Sequence, residues 1–205
     1  MTIRIDATDI SNWFNAVRMV NESEKNKLLD AFWGTQLSSK SWLIENLYNH
    51  INKPSNIYIF GGWVGTLASM LLQQKFFIKK VFSIDIDPWC QQYANIICKP
   101  YIGSKFESVT ADMAMYEYDS NYPPDVVINT STEHVSQETY DSWYDNIPKN
   151  TLVVVQGNNF FECDQHIRCS ENIENFLTLN KCNDVLFQGE LNNPMYTRYM
   201  SIFVK

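Results

Sequence analysis

Ile57-Tyr58-Ile59-Phe60-Gly61-Gly62-Trp63-Val64-Gly65-Thr66-Leu67 is an apolar run that halts on a pair of glycines and then resumes with helix-compatible residues. Its first residues are apolar at successive positions rather than alternating, which predicts a strand buried on both faces, as in a parallel sheet. The glycines permit a tight turn and a close approach of backbone to a ligand, and the helix start beyond them presents free N–H groups. Such a turn is also a common structural device, so the residues that follow must decide its meaning.

Working forward, Asp85 closes the next apolar run, 20 residues beyond Gly65. An acid at that distance stands at the carboxyl edge of the sheet, where it can accept hydrogen bonds from ribose hydroxyls. Asp87 is read differently, as the cap of a helix with Pro88 at its first position. A dinucleotide fingerprint anchored on Gly62 and Gly65 would need glycine at position 60, and Phe60 stands there. Nicotinamide dinucleotides are disfavoured accordingly.

The same alternation extends along the chain. Strands are predicted at 56–60, 80–84, 106–110, 125–129 and 152–156, with helices such as 64–74 and 88–98 between them. That order defines an α/β fold with a parallel, doubly wound sheet. Runs at 184–189 and 197–205 are separated by Asn192-Asn193-Pro194, which predicts a hairpin whose last strand runs antiparallel at or near the sheet edge. Upstream, Ile10, Trp13, Phe14 and Val17 recur at helical spacing after Asp9, a candidate N-cap. A charged link leads to Leu28, Leu29, Phe32 and Trp33. A second clear helix starts near 38–41, carries Trp42, Leu43, Leu47 and Ile51, and ends at Pro54. The chain therefore divides into an N-terminal helical extension, 1–53, packed on the core, and a ligand-binding domain, 54–205.

Hydrophobic residues make up 45% and aromatic ones 14% of the 205 positions, enough for a packed core. Five cysteines with no C-x-x-C pair suit a reducing, cytoplasmic setting. The start MTIRIDATDI lacks the pattern of a leader peptide, and no apolar stretch approaches the roughly 20 residues of a membrane helix. A net charge of −7 argues against a nucleic-acid partner.

The spacing Gly61-x-x-x-Gly65, together with Ile84-Asp85-Ile86-Asp87-Pro88, resembles the first two motifs of the class I S-adenosylmethionine-dependent methyltransferases. The likeness runs from about residue 56 to the C-terminus and includes the hairpin. More narrowly, FGGWVG, SIDIDP and INTSTEH resemble small methyltransferase-like proteins of tailed phages. The resemblance implies a Rossmann-like sheet and S-adenosyl-L-methionine as cofactor. It places Gly61, Gly62, Gly65 and Asp85 on that cofactor, with Asp112 accepting from the adenine amino group and Met113 packing on the ring. The polar stretch 129–134 corresponds to the family's fourth motif. Asn129 faces cofactor and acceptor there, and Glu133 or His134 is the candidate catalytic base. There are departures. Ile59 stands where many members carry an acid, Trp63 replaces a middle glycine, and 129–134 is not the N-P-P-Y or D-P-P-Y of base-amino transferases. The implied function is methyl transfer to a small-molecule or protein acceptor, with nucleic acid and membrane disfavoured. The alternative is S-adenosylmethionine binding without methyl transfer, in an interaction role or in sulfonium cleavage.

Further polar residues follow the fifth strand at Gln156-Gly157-Asn158-Asn159. Cys163, His166 and Cys169, with His134, offer soft metal ligands, but the spacing lacks the paired turn of a zinc knuckle. They read as scattered core residues, and no metal is expected. Lys40 could meet a carboxylate, and the helices before Pro54 could close over the cleft as a lid.

Overall fold

The computed structural model of this chain describes residues 3–74 and 77–205. Met1 and Thr2, part of the start read above for a leader, lie outside them. The apolar runs become β1 (Ser55–Phe60), β2 (Ile78–Asp85), β3 (Phe106–Thr110), β4 (Val126–Asn129), β5 (Leu152–Asn158), β6 (Val185–Asn192) and β7 (Thr197–Val204). They form one seven-stranded sheet of order β3-β2-β1-β4-β5-β7-β6. The first five strands are parallel, and β7 lies antiparallel between β5 and the edge strand β6. The hairpin thus takes the expected place, with the last strand one in from the edge.

The helices are α1 (Ala7–Met19), α2 (Lys25–Asp30), α3 (Gly34–Leu47), α4 (Thr66–Leu72), α5 (Pro88–Ile97), α6 (Gln137–Asn146) and α7 (Ile173–Leu179). All six side chains of β1 are buried, and their two-residue period divides them between two layers. Ile57 and Ile59 pack with α1, α3, α4 and α5, through Trp13, Leu43, Leu47, Leu67 and Ala94. Tyr58 and Phe60 face an aromatic layer with Phe82, Tyr140, Trp143 and Phe176, and Tyr58 stacks on Phe82 at 4.4 Å between ring centres. Because Trp13, Leu28 and Leu43 sit in the same cluster as β1, the helices before Pro54 share the core of the sheet.

Two helix starts differ from expectation. Asp6, not Asp9, caps α1 by accepting from the Thr8 N–H at 2.9 Å. Asp9 turns inward and accepts from the Tyr101 hydroxyl at 2.9 Å. The helix expected near 38–41 begins at Gly34, and Ile51 lies beyond its end. Gly34, Thr35 and Ser38 have weak helix propensity, but burial of Leu43, Ile44 and Leu47 outweighs it. Ser39 and Lys40 thereby fall one turn inside the helix and are buried.

From β1 the chain crosses to β2 on one side, while β4 on the other side leads to β5. The crossovers leave on opposite faces, so a crevice opens between the carboxyl ends of β1 and β4. Register pairs Phe60 with both Ile84 and Asn129, which sets Gly61, Asp85 and Thr130 at one level of that edge.

Candidate functional site

A cleft of about 1210 Å³ occupies this crevice, walled by residues after β1, β2, β3, β4 and β5 and by the 27–40 segment. A single drug-sized ligand takes roughly 300–1000 Å³, so the space suits a cofactor together with an acceptor. All the site residues named from sequence, apart from the buried Gly65, line it.

The half beneath β1–β3 is built mainly from backbone. Gly65 has φ +77°, and a Cβ there would sit 3.0 Å from the Ala94 Cβ of α5. At Gly62 a Cβ would lie 2.1 Å from the Ser83 hydroxyl of β2. Glycine is therefore required at both by the chain's own packing, which draws the 61–65 turn down onto the sheet edge. Trp63 is held at φ 48°, a conformation that costs an ordinary residue about 1 kcal/mol or more. Its N–H donates to Asp85 Oδ2 at 2.8 Å, and the Asp87 N–H donates to Oδ1 at 3.1 Å. Asp85 thus fastens the glycine turn to the end of β2. A carboxylate has about four acceptor positions, so two backbone bonds leave capacity for a ligand. Asp87 caps α5 as expected and also receives Lys27 of α2 at 2.8 Å, a strap across the rim of the cleft. Asp112 caps a short turn through Ala114 N–H at 2.9 Å, with its side chain exposed to the cleft. Met113 is half-buried beside it and meets the Asn129 amide at 3.9 Å.

The other half is a network of side chains with little exposure. Glu133 is 2% exposed, and its Oε1 accepts from Arg198 Nη1 and from Asn158 Nδ2, each at 2.6 Å. Arg198, on β7, also donates to Ser39 Oγ at 3.1 Å, and Ser39 binds Gln156 of β5 at 3.0 Å. The Glu133 carbonyl accepts the Ile167 and Arg168 N–H groups at 2.9 and 3.1 Å, which pins the loop after β5 to the loop after β4. That pinning brings His166 to His134, with 4.7 Å between ring centres. His166 Nδ1 lies 3.0 Å from the Phe160 carbonyl, and His134 Nδ1 lies 3.2 Å from that of Gln165. A carbonyl only accepts, so each Nδ1 carries the proton and each Nε2 of a neutral ring offers a lone pair. Burial pushes the His166 pKa down. Lys40 projects from α3 into the same half and donates to Gln36 Oε1 at 2.8 Å. Burial foremost, with help from the Arg198 charge, lowers its pKa to about 7 against the pull of Glu133.

The residues named from sequence after β1 to β4 therefore share one cleft, but Arg198 was missed and Asn158 was noted only as one of several polar residues. A trace was available: an arginine within the apolar strand 197–204 must find a partner if it is buried. Glu133, read as one of two candidate bases, is one member of a buried ion pair. Cys163 and Cys169 do not join the His134–His166 contact as ligands; the carboxylate that does is Glu133.

No protein-family model matches the chain, and no curated protein matches it in sequence. Solved structures do match in fold. The N-methyltransferase NodS from Bradyrhizobium japonicum WM9, in complex with S-adenosyl-L-homocysteine, aligns with a TM-score of 0.66 at 11% identity, over 95% of this chain and 98% of that one. Magnesium protoporphyrin IX methyltransferase (ChlM) from Synechocystis PCC 6803, with bound S-adenosyl-L-homocysteine, gives 0.66 at 14% identity over 97% and 95%. The small RNA methyltransferase HEN1 gives 0.65 at 19% identity over 85% of this chain and 26% of that one. The chain has the Rossmann-like fold of these class I methyltransferases, with their C-terminal antiparallel hairpin. Magnesium protoporphyrin IX and small RNA are very different acceptors, so the shared fold leaves the acceptor open. Among the described residues no helix is long and apolar enough to cross a membrane.

Proposed function

We propose that this chain is an S-adenosylmethionine-dependent methyltransferase acting on a small-molecule or protein acceptor. One observation carries the reading: the 61–65 turn, fastened by Asp85 at the switch point, opens on the same cleft as Asp112 and as the Glu133–His134 cluster. The fold neighbours that hold S-adenosyl compounds support it.

In this reading the backbone at Gly61 and Gly62 lies against the cofactor, Gly65, expected there too, is buried on α5 and only shapes the turn, and Asp85 accepts from the ribose with the lone pairs that Trp63 and Asp87 leave unused. Asp112 accepts the adenine amino group, Met113 packs on the ring, and Asn129 borders the reacting end. The cofactor supplies a methyl group already activated on a sulfonium. What remains for the chain is to align the acceptor, exclude water and remove a proton. His134 Nε2, which carries the lone pair, would take that proton from the acceptor. Glu133, tied to Arg198 and Asn158, orients this half. The helices before Pro54 act as a lid, with the Lys27–Asp87 strap at its edge. Five free cysteines accord with a cytoplasmic setting, and the narrower likeness to tailed-phage proteins rests on FGGWVG, SIDIDP and INTSTEH. The engagement of Glu133 also favours a second reading, cofactor binding without methyl transfer.

Calorimetric titration with S-adenosylmethionine, S-adenosylhomocysteine and NAD tests the cofactor. S-adenosylhomocysteine at 100-fold over its Kd should stabilise the fold by about 2.7 kcal/mol. Stabilisation by NAD alone would overturn the assignment. A radiolabelled-methyl assay on metabolites, protein and nucleic acid then separates the two readings, and label appearing chiefly in nucleic acid would refute the acceptor class.

A further inference from the structure

We propose that Glu133, His134 and His166 form a binding site for a divalent transition-metal ion on the acceptor side of the cleft. One ligand atom of each residue lies within 4.8 Å of those of the other two. Ligands around one ion at about 2.0–2.2 Å stand about 3–4 Å apart. Of the three residues His134 is the exposed one, and so the freest to close that difference.

Three features suit these groups to an ion. Glu133 Oε2 is buried and has no hydrogen-bond partner, while Oε1 is held by both Arg198 and Asn158. An unmade bond on a buried carboxylate oxygen is costly, and an ion at that oxygen removes the cost. Both imidazoles are fixed through Nδ1 by backbone carbonyls, the outer-shell arrangement that sets the tautomer and presents Nε2 to a metal. All three residues line the cleft, so coordination positions not filled by protein face the acceptor space.

The donor set selects the ion. Two imidazoles and a carboxylate suit Zn²⁺, Mn²⁺, Fe²⁺ or Co²⁺, whereas Ca²⁺ and Mg²⁺ favour all-oxygen shells. The Arg198 guanidinium, Lys40 and Arg168 are positive charges near Glu133. Arg198 contacts the opposite carboxylate oxygen, so it tempers affinity without occupying the site. With the ion bound, His134 is a ligand rather than a base, and the ion acidifies an oxygen acceptor that coordinates to it. That use of the ion rests on the methyltransferase reading; the binding itself does not.

Chelator-treated full-length protein titrated with Co²⁺ alone tests the site, read by visible absorption and bound-metal analysis. About one Co²⁺ per chain is expected, and His134→Ala and His166→Ala should each weaken binding at least about tenfold. Those variants avoid the folding cost of cutting the Glu133–Arg198 pair. Absence of binding, or binding undiminished in both histidine variants, would overturn the proposal. S-adenosylhomocysteine titrated into the same metal-free preparation separates the two claims. Its binding without Co²⁺ uptake refutes only the ion site, and Co²⁺ uptake without its binding leaves the ion site standing while removing the methyltransferase reading.

Discussion

The two halves of the cleft are built by different means. Under β1–β3 the wall is backbone: a glycine turn held by one carboxylate, from residues 61–65 and 85–87, adjacent in space because their strands pair in register. Under β4–β7 the wall is a buried side-chain network joining Ser39, Glu133, Asn158 and Arg198, drawn from separate parts of the chain. A backbone wall positions a ligand with few buried charges. A charged wall concentrates chemistry at the expense of stability, since each ion must be removed from water and then matched. Substitutions in the acceptor half should therefore move stability most, and those in the cofactor half should move binding.

The largest effect tests the ion pair. Glu133→Ala leaves Arg198 buried without its partner and should destabilise the fold by about 3–5 kcal/mol in urea unfolding. The double replacement Glu133→Leu with Arg198→Met should recover most of that loss. If the single variant is nearly neutral, the acceptor wall is not an electrostatic unit and the contrast fails.

Lys40 comes next, and its sign is opposite. Its pKa falls from 10.5 to about 7 on folding. Between those values the unfolded chain binds the extra proton, so stability rises with pH across that window and the penalty is fully present below about pH 7. Lys40→Met should therefore stabilise the protein by roughly 2–4 kcal/mol at pH 6, with the gain fading towards pH 10. Thermal unfolding at the two pH values measures it, and a pH-independent gain would remove the buried charge from the account.

Asp85→Ala should act mainly on ligand. Loss of the ribose acceptor should weaken S-adenosylhomocysteine binding by about 1.5–3 kcal/mol, while the freed Trp63 N–H costs the fold less. Calorimetry on the folded variant reads the first and chemical unfolding the second. Should affinity stay unchanged, Asp85 serves the turn alone.

The smallest effect concerns the rim. Lys27→Ala removes a partly exposed ion pair with Asp87 and should change stability by about 0.2–1 kcal/mol, less at high salt. If the helices before Pro54 form a lid, S-adenosylhomocysteine dissociation should speed up by more than that stability change implies. Stopped-flow displacement would show it.

The difference between the halves is also a difference in legibility. The turn at 61–65 and the acid at 85 could be read because a local backbone requirement leaves a local residue signature. The N-cap at Asp87 was visible for the same reason. By contrast, Asp9 resembled a cap until burial gave it to Tyr101, and the start of α3 was read about one turn late because the apolar face that decides it lies further along the helix. Residues 129–134 were recognisable as a polar end to a buried strand, which located the site without revealing what Glu133 holds.

From its order of residues alone, then, this chain determines a parallel sheet, its switch point, the glycine turn with Asp85 and the closing hairpin. Each depends on periodicity or on φ preferences that act within a few residues. Only the tertiary structure decides that Glu133 meets Arg198, residues separated by 65 positions, and that His134 meets His166. Those partners are chosen by strand order and loop pinning, and burial then compels each charge or ring to be satisfied by whatever the fold has brought beside it.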